Sequence, residues 1–407
     1  MIRKCFITLA FLLLLTMGTG SEAAVVVQCP GDLNQDGIID NPGAYPNVDC
    51  KHVVGSDGFV SMADGYLQYI FGFSDATGQI PDQVLTAGEL NAQQPAPQMK
   101  AKQDQDFYLT LTTAPMRMRP DLFDAHSVHW HGFSNIAPVF DGEPMASIGI
   151  FPGASFSFYY KVPGPGSYGW HCHVEATEHM QMGMLGHIYV TPLQDEGPAI
   201  EYPVGSAKTY SKFAYNDVDG STGYDKDFPL LIIGFDPAFH DANLNVQPLP
   251  FADMVDRYMM INGRGYPDTV NTVSLPAPVD PEVIPFDGGI GKVSQQVNSL
   301  ITATQGERVL LRIINFSTVH FSTITIPGIT MKVVGKDAKI LRGTTAGGPD
   351  LYYETNTLTL GGGQSAEVLL ETANVAPGTY FLYSTKHHDL SNNKEDFGGL
   401  MTEIVIQ

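Results

Sequence analysis

The stretch PGSYGWHCHVEATEHMQMGMLGHIYV, residues 165–190, decides how the chain is read. Its two ends recur near the carboxy terminus: PGSYGWHCH (165–173) matches PGTYFLYST (377–385), and MGMLGHIYV (182–190) matches GGLMTEIVI (398–406), in the same order and at similar spacing. A repeat of that kind implies two copies of one folding unit. Working outward, FYLTLTT, SFSFYYKV, HIYVTP, RVLLRIINF, MKVVG, AEVLL, TYFLYST and TEIVIQ are short runs of β-formers separated by Gly and Pro turns. They predict an all-β protein of two sandwich domains, at 84–195 and 206–407, joined by a linker at 196–205 within LQDEGPAIEYPVG.

The centre of the opening stretch carries chemistry rather than fold. Six of the chain's twelve histidines fall within residues 126–131 (HSVHWH) and 171–179 (HCHVEATEH). On an extended strand alternate side chains share a face, so His129 and His131 point one way and His126 the other. By the same parity His171 and His173 share a face, and Cys172 between them looks away. One face therefore gathers His126 and Cys172, with His179 and Met184 supplied by the following loop. Two imidazoles, a thiolate and a weak thioether are the donor set of a blue, type 1 copper centre. Met180 and Met182 compete for the axial place; Met184 is preferred because it falls where the chain re-enters the strand HIYV. The opposite face offers four imidazoles, from His129, His131, His171 and His173.

Before the first sandwich the residues read differently. Arg3 and Lys4, an apolar run from Phe6 to Leu15, and small residues up to Ala23 have the layout of a secretory signal, residues 1–23, which predicts a secreted or periplasmic protein without a membrane span. Of the four cysteines, Cys5 leaves with the signal. In an oxidising compartment Cys29 pairs with Cys50, leaving Cys172 as a lone thiol for a metal. Residues 24–83 form a disulfide-tethered segment in which Asp32, Asn34, Asp36 and Gly37 have the spacing of a calcium loop, although Gly43 stands at its twelfth position. Treating 38–58 as an insertion brings Asp64 to the closing position, and the segment then resembles a dockerin-type calcium loop. The formal charge of −21 disfavours nucleic acid and anionic surfaces.

Taken together, HxxHxH followed by HCH, His179 and Met184 resembles the two-domain, laccase-like multicopper oxidases, and NGRGYP (262–267) and EDFGGLMTEIVI (395–406) are similar to that family as well. The resemblance implies Greek-key cupredoxin sandwiches and oxidation of a donor (a phenol, a metal ion or a redox protein) at the type 1 copper. It also implies dioxygen reduction at a type 2/type 3 copper cluster half-built by His129, His131, His171 and His173. A homotrimer follows, because in that family the cluster lies between subunits, and Asp141 in FDGEP stands as the residue that orients water or relays protons there. The second domain departs from the pattern. Tyr383, Ser384 and Thr385 align with His171, Cys172 and His173, and Thr325 and Pro327 align with His129 and His131. Only His320, His387 and His388 remain there to complete a cluster. Two alternatives stay open: a non-catalytic type 1 electron-transfer or copper-binding protein, and a copper nitrite reductase, which His129 disfavours because it stands where that family has its catalytic Asp.

Overall fold

The computed structural model describes residues 25–284, 289–343 and 348–407, so the secretory signal lies outside the described residues. It is nearly all β, with 11% helix. Among the described residues no helix is long and apolar enough to cross a membrane.

The first sandwich is built from eight strands: β1 (Val48–Ser61), β2 (Leu67–Asp75), β3 (Met99–Lys102), β4 (Asp106–Thr113), β5 (His129–Trp130), β6 (Ser155–Lys161), β7 (Gly166–His171) and β8 (Leu185–Thr191). They form two four-stranded sheets, in the orders β2-β1-β4-β6 and β3-β8-β7-β5. Alternation drives the packing. Phe107, Leu109 and Leu111 of β4 enter the core with Phe158 and Tyr160 of β6 and Trp130 and Trp170 of the opposite sheet. The intervening Thr110 and Thr112 hydrogen-bond Ser157 and Ser155, both at 2.7 Å.

Residues 24–83 are therefore not a separate segment ahead of this sandwich: β1 pairs in parallel with β4 and antiparallel with β2. The sequence hides β1 because VDCKHVVGSDGFVS carries Gly and Asp, residues of turns. Pairing on both sides buries them instead, and Asp57 is satisfied by N–H donors from Arg117 (3.0 Å) and Met118 (2.7 Å) and by the Tyr69 hydroxyl (3.0 Å). The expected disulfide joins Cys29 to Cys50, with Cα atoms 6.0 Å apart. The split calcium loop does not form. Asp32 accepts hydrogen bonds from the backbone of Asp36 and Gly37, and Asn34 donates to Asp36, within one tight loop. Asp64 lies beyond the far end of β1, roughly 35 Å of strand from Cys50, where it accepts from Tyr258.

After the first sandwich come a small hairpin of β9 (Ile200–Glu201) and β10 (Thr209–Tyr210), then β11 (Lys226–Phe235) and β12 (Tyr258–Ile261). A second hairpin pairs β13 (Leu275–Pro276) with β14 (Val293–Gln295). The rest of the second sandwich comprises β15 (Ile301–Ala303), β16 (Arg308–Asn315), β17 (Ser322–Thr325), β18 (Met331–Lys336), β19 (Lys339–Ile340), β20 (Tyr353–Thr355), β21 (Thr357–Leu360), β22 (Ser365–Glu371), β23 (Gly378–Ser384) and β24 (Met401–Ile406). Its sheets run β12-β11-β16-β22-β18-β19, with β20 on β18, and β15-β24-β23-β17-β21. The topology repeats the first sandwich: β11 lies parallel to β16 as β1 does to β4, and β17 pairs β23 as β5 pairs β7. A shared apolar cluster, including Ile70, Leu185, Ile233, Phe235 and Phe316, joins the two sandwiches.

Candidate metal centre

The short helix that follows Cys172 and the ends of the β5 and β7 strands position the chemistry. His171 ends β7 and pairs with His129 at the start of β5; Trp170 pairs with Trp130 beside them. Strand parity then sends both tryptophans into the core and both histidines to the other side. His126 is held by reciprocal backbone hydrogen bonds with Ile150, 3.0 and 2.8 Å. Beyond Cys172 the chain forms the single-turn helix α2 (Ala176–Gln181), numbered after α1 (Pro81–Gly88), and returns through Met184. Cys172 N–H bonds Met184 O at 3.0 Å and Met184 N–H bonds His179 O at 2.8 Å, which clips the loop shut beside the sulfur.

His126, Cys172, His179 and Met184 are all completely buried. The Cys172 sulfur lies 3.2 Å from His179 Nδ1 and 3.9 Å from His126 Nδ1, and the three donor atoms all fall within 4.8 Å of one another. Met184 joins them at Gly55 of β1. A Cβ there would stand 2.8 Å from the His126 ring and 3.2 Å from the Met184 methyl, so only glycine leaves room for both. Met182 and Met184 both pack in the core of the first sandwich and Met180 against the shared cluster, and it is Met184 that shares with the His126 ring the space over Gly55. Burial pushes the Cys172 thiol up to about 12 and holds His179 down at about 4. A soft cation reverses the first shift, since a coordinating thiol gives up its proton. Two neutral imidazoles turned by their Nδ1 atoms toward one sulfur fit copper well.

The opposite face is also assembled. The donor nitrogens of His129, His131 and His171 lie within 4.8 Å of one another, and His131 Nε2 stands 3.0 Å from His171 Nε2. His173 packs edge-on against His129, ring centroids 4.8 Å apart. His129 Nδ1 bonds the Asp141 carbonyl at 2.9 Å, with the Asp141 carboxylate 3.5 Å away, and His171 Nδ1 bonds the Cys172 carbonyl at 2.7 Å. His129 and His171 are thereby fixed through Nδ1, which leaves Nε2 of each as the nitrogen for a metal, one that would replace the contact between His171 Nε2 and His131 Nε2. Burial lowers His171 to about 3 and His131 in the same direction, which keeps both neutral.

Several positioning residues escape sequence reading. Ser127 donates its backbone N–H to the Cys172 sulfur at 3.5 Å, and its hydroxyl bridges Gly142 and His173. Buried Gln181 ties α2 to the second domain through Asp256 (3.0 Å), Thr318 (3.2 Å) and the backbone of Asp236. His240, on α3 (Pro237–Leu244), bonds Gln181 O at 2.9 Å and Tyr69 O at 2.6 Å. Phe316 of the second domain sits against His131 and His171, ring centroids 5.3 and 5.9 Å away, and the His131 ring hydrogen-bonds the backbone of Gly363. Gly169 is required by the same contact, because a Cβ there would collide with the Phe316 ring. No spacing rule links residues so far apart in the chain.

His320, His387 and His388 do not reach this cage. His387 and His388 are exposed, in a 3-10 turn at His387–Leu390, and His320 lies 3.4 Å from the Lys386 ammonium. Among the described residues they form no metal-binding group.

Two family models, each described as multicopper oxidase, match residues 76–195 and 244–405. Among curated proteins, Laccase-5 of Arabidopsis thaliana is 24% identical over 287 residues, covering 69% of this chain and 39% of that protein. Copper resistance protein A of Pseudomonas syringae pv. tomato is 25% identical over 292 residues, covering 66% and 42%. The chain thus spans about two fifths of the length of these relatives. Among solved structures, the Blue Copper Oxidase from Nitrosomonas europaea shares the fold with a TM-score of 0.60 at 20% identity, covering 87% of this chain and 85% of that one. Multicopper oxidase mgLAC gives 0.58 at 18%, covering 88% and 85%. Copper nitrite reductase from N. europaea gives 0.54 at 14%, covering 88% and 93%. The duplicated sandwich, the two donor clusters and both family matches agree that this chain belongs to the multicopper oxidase family.

Proposed function

We propose that the protein is a copper-dependent oxidoreductase that takes electrons from a donor at a type 1 copper held by His126, Cys172, His179 and Met184. It delivers them to a second copper site built on His129, His131 and His171, with His173 alongside, for reduction of dioxygen. One observation carries this reading: the two donor clusters lie back to back across a single peptide bond, that between His171 and Cys172. Bound copper supplies one-electron redox chemistry at each cluster. The chain's own part is to exclude water around the sulfur, to fix each imidazole by its second nitrogen, and to place Asp141 where its carboxylate can hold water or a proton beside His129.

The test is copper per chain, blue absorption and oxygen uptake on one sample. The proposal expects a blue protein with more than one copper that consumes oxygen with a reducing phenol or metal ion; one copper and no uptake removes it. That second outcome would leave an electron-transfer protein, which the Phe316 ring packed against His131 and His171 favours, since the second domain offers the cage an aromatic ring instead of ligands. Secretion or a periplasmic location suits the disulfide. A homotrimer, with the partly exposed His129 facing a neighbouring copy, belongs to the same proposal and is read by light scattering.

A further inference from the structure

The loop that carries Cys172, His179 and Met184 in the first domain, 172–184, has a longer counterpart in the second, 384–400. The added residues are folded into a tight turn. Asn392 Oδ1 accepts the N–H groups of Lys394 (2.9 Å) and Glu395 (2.8 Å), the Asn392 N–H bonds Glu395 O at 3.0 Å, and Gly399 N–H bonds Leu390 O at 2.9 Å. Asp396 and Phe397 follow that turn and face β23, where Phe381 and Tyr383 share one side of the strand. Tyr266 is fixed beside them at both ends: its N–H bonds Gly399 O at 3.0 Å, and its hydroxyl donates to the Glu403 carboxylate at 2.9 Å. Tyr266, Phe381, Tyr383, His387, Asp396 and Phe397 line one cavity of about 720 Å³. The repeat aligns Phe381 with Gly169 and Tyr383 with His171, so the strand face that carries imidazoles in the first domain carries aromatic rings here.

We propose that this cavity of the second domain binds an organic cation, an alkylated ammonium group with an apolar arm. Ring faces are the negative side of an aromatic quadrupole and attract a cation placed over them. The Tyr266 hydroxyl, by donating to Glu403, leaves its own ring richer in electrons, and the exposed Asp396 carboxylate supplies the counter-charge. A metal ion or a bare ammonium would have to give up its water to walls that are mostly apolar, whereas a methylated nitrogen holds little water to lose. The cavity is larger than such a head group alone and falls in the ordinary range of small-molecule pockets, which leaves space for the arm. Both lysines of the loop are turned to other partners, Lys386 to Asp389 at 3.0 Å and Lys394 to the Asp64 carbonyl at 3.3 Å. Phe381 and Phe397 stay exposed in the chain, as rings kept for a ligand are. The site uses neither donor cluster of the first domain and stands apart from the proposed function.

Binding is read by calorimetric titration of the full chain with benzyltrimethylammonium. One cation per chain is expected. Phe397→Ala and Asp396→Asn, both at exposed positions, should each weaken it by roughly fivefold or more. Phe123→Ala, which removes an exposed ring of the first domain, should change the affinity less than twofold, and so should Cys172→Ser. Choline should bind as well, and its uncharged isostere 3,3-dimethylbutan-1-ol should bind roughly tenfold more weakly or not at all. Equal affinity for choline and the alcohol overturns the proposal, because the cavity would then select apolar volume and not charge. Equal uptake by wild type and by both cavity variants overturns it too. A chain that takes up none of these probes, and whose light scattering shows an assembly that Phe397→Ala breaks up, would make this face a contact between copies and equally end the proposal.

Discussion

The two sandwiches match hydrogen bond for hydrogen bond at one place and differ there in side chains. In the first, Cys172 N–H bonds Met184 O and Met184 N–H bonds His179 O; in the second, Ser384 N–H bonds Leu400 O and Leu400 N–H bonds Asp389 O. The same pair of backbone hydrogen bonds closes both loops, although 384–400 is longer than 172–184, so Cys172, His179 and Met184 correspond to Ser384, Asp389 and Leu400. Across the sheet His129 faces His171 where Thr325 faces Tyr383. In place of a sulfur 3.2 Å from an imidazole stands a Ser384 hydroxyl donating to the buried Asp389 carboxylate at 3.1 Å. The fold tolerates either solution. A cupredoxin-like loop is thus a scaffold whose metal depends on a few side chains, and the second copy has closed its cavity with a hydrogen bond.

The difference extends to the strand beneath. Gly55 lies opposite Thr113 on β4, and Ile232 lies opposite Asn315 on β16; Thr113 and Asn315 each end their strand. Gly55 and Ile232 therefore occupy equivalent places, one leaving space for His126 and Met184 and the other filling the core of the second sandwich.

The largest effect should come from Cys172→Ser. A hydroxyl is a poor soft ligand, so the blue absorption should vanish while the fold, already compatible with Ser384 at the matching position, persists by circular dichroism. A variant that stays blue would end the assignment. Next in size is Gly55→Ile, which gives the first domain the residue of the second. The side chain would drive into the His126 ring and Met184 methyl, and copper affinity should fall at least tenfold, read by competition with a chelator. Unchanged affinity would show that Gly55 does not make room for the site.

Much of this was legible before any coordinates. The repeat around 165–190 announced two copies of one unit, and strand parity separated His126 and Cys172 from His129, His131 and His171 because alternation on a strand is geometry that sequence carries. What sequence could not carry was tertiary compensation. Asp57 and the glycines of β1 look like turns until distant N–H groups satisfy them, which is why the first domain was expected to begin too late. Asp64 was drawn to Asp32 by spacing alone, and a fourteen-residue strand keeps them apart. Phe316 and Gly363 reach His131 and His171 from more than a hundred residues away, with no local pattern to mark them.

Acid should tell the domains apart. Burial holds His52 down at about 4 and His187 at about 3, so each stays neutral in the native protein where the unfolded chain would be protonated. Their contribution is complete above about pH 6.5 and is lost as pH falls from there toward 4 and 3. His52 and His187 lie in β1 and β8 of the first sandwich. Of the described histidines of the second domain, His320, His387 and His388 are not fully buried, and His240 is buried on α3 against the backbone of Tyr69 and Gln181 of the first. Calorimetry of the copper-free chain should therefore show the first domain's transition moving to lower temperature between pH 6.5 and 4 while the second moves less. A common shift of both would mean that they unfold as one unit through their shared apolar cluster.

The smallest expected effect lies in the second domain itself. Ser384→Ala removes the hydroxyl that donates to Asp389 and accepts the Lys386 N–H at 3.2 Å, leaving buried polar groups short of a partner. The loss should be about 1–3 kcal/mol in urea unfolding, with the blue absorption untouched. If Ser384 were instead a residual metal ligand, its removal would lower the copper content and leave stability nearly unchanged. The two readouts move in opposite ways, so this one substitution decides whether the second loop kept any part of the chemistry that the first performs or holds its shape by hydrogen bonding alone.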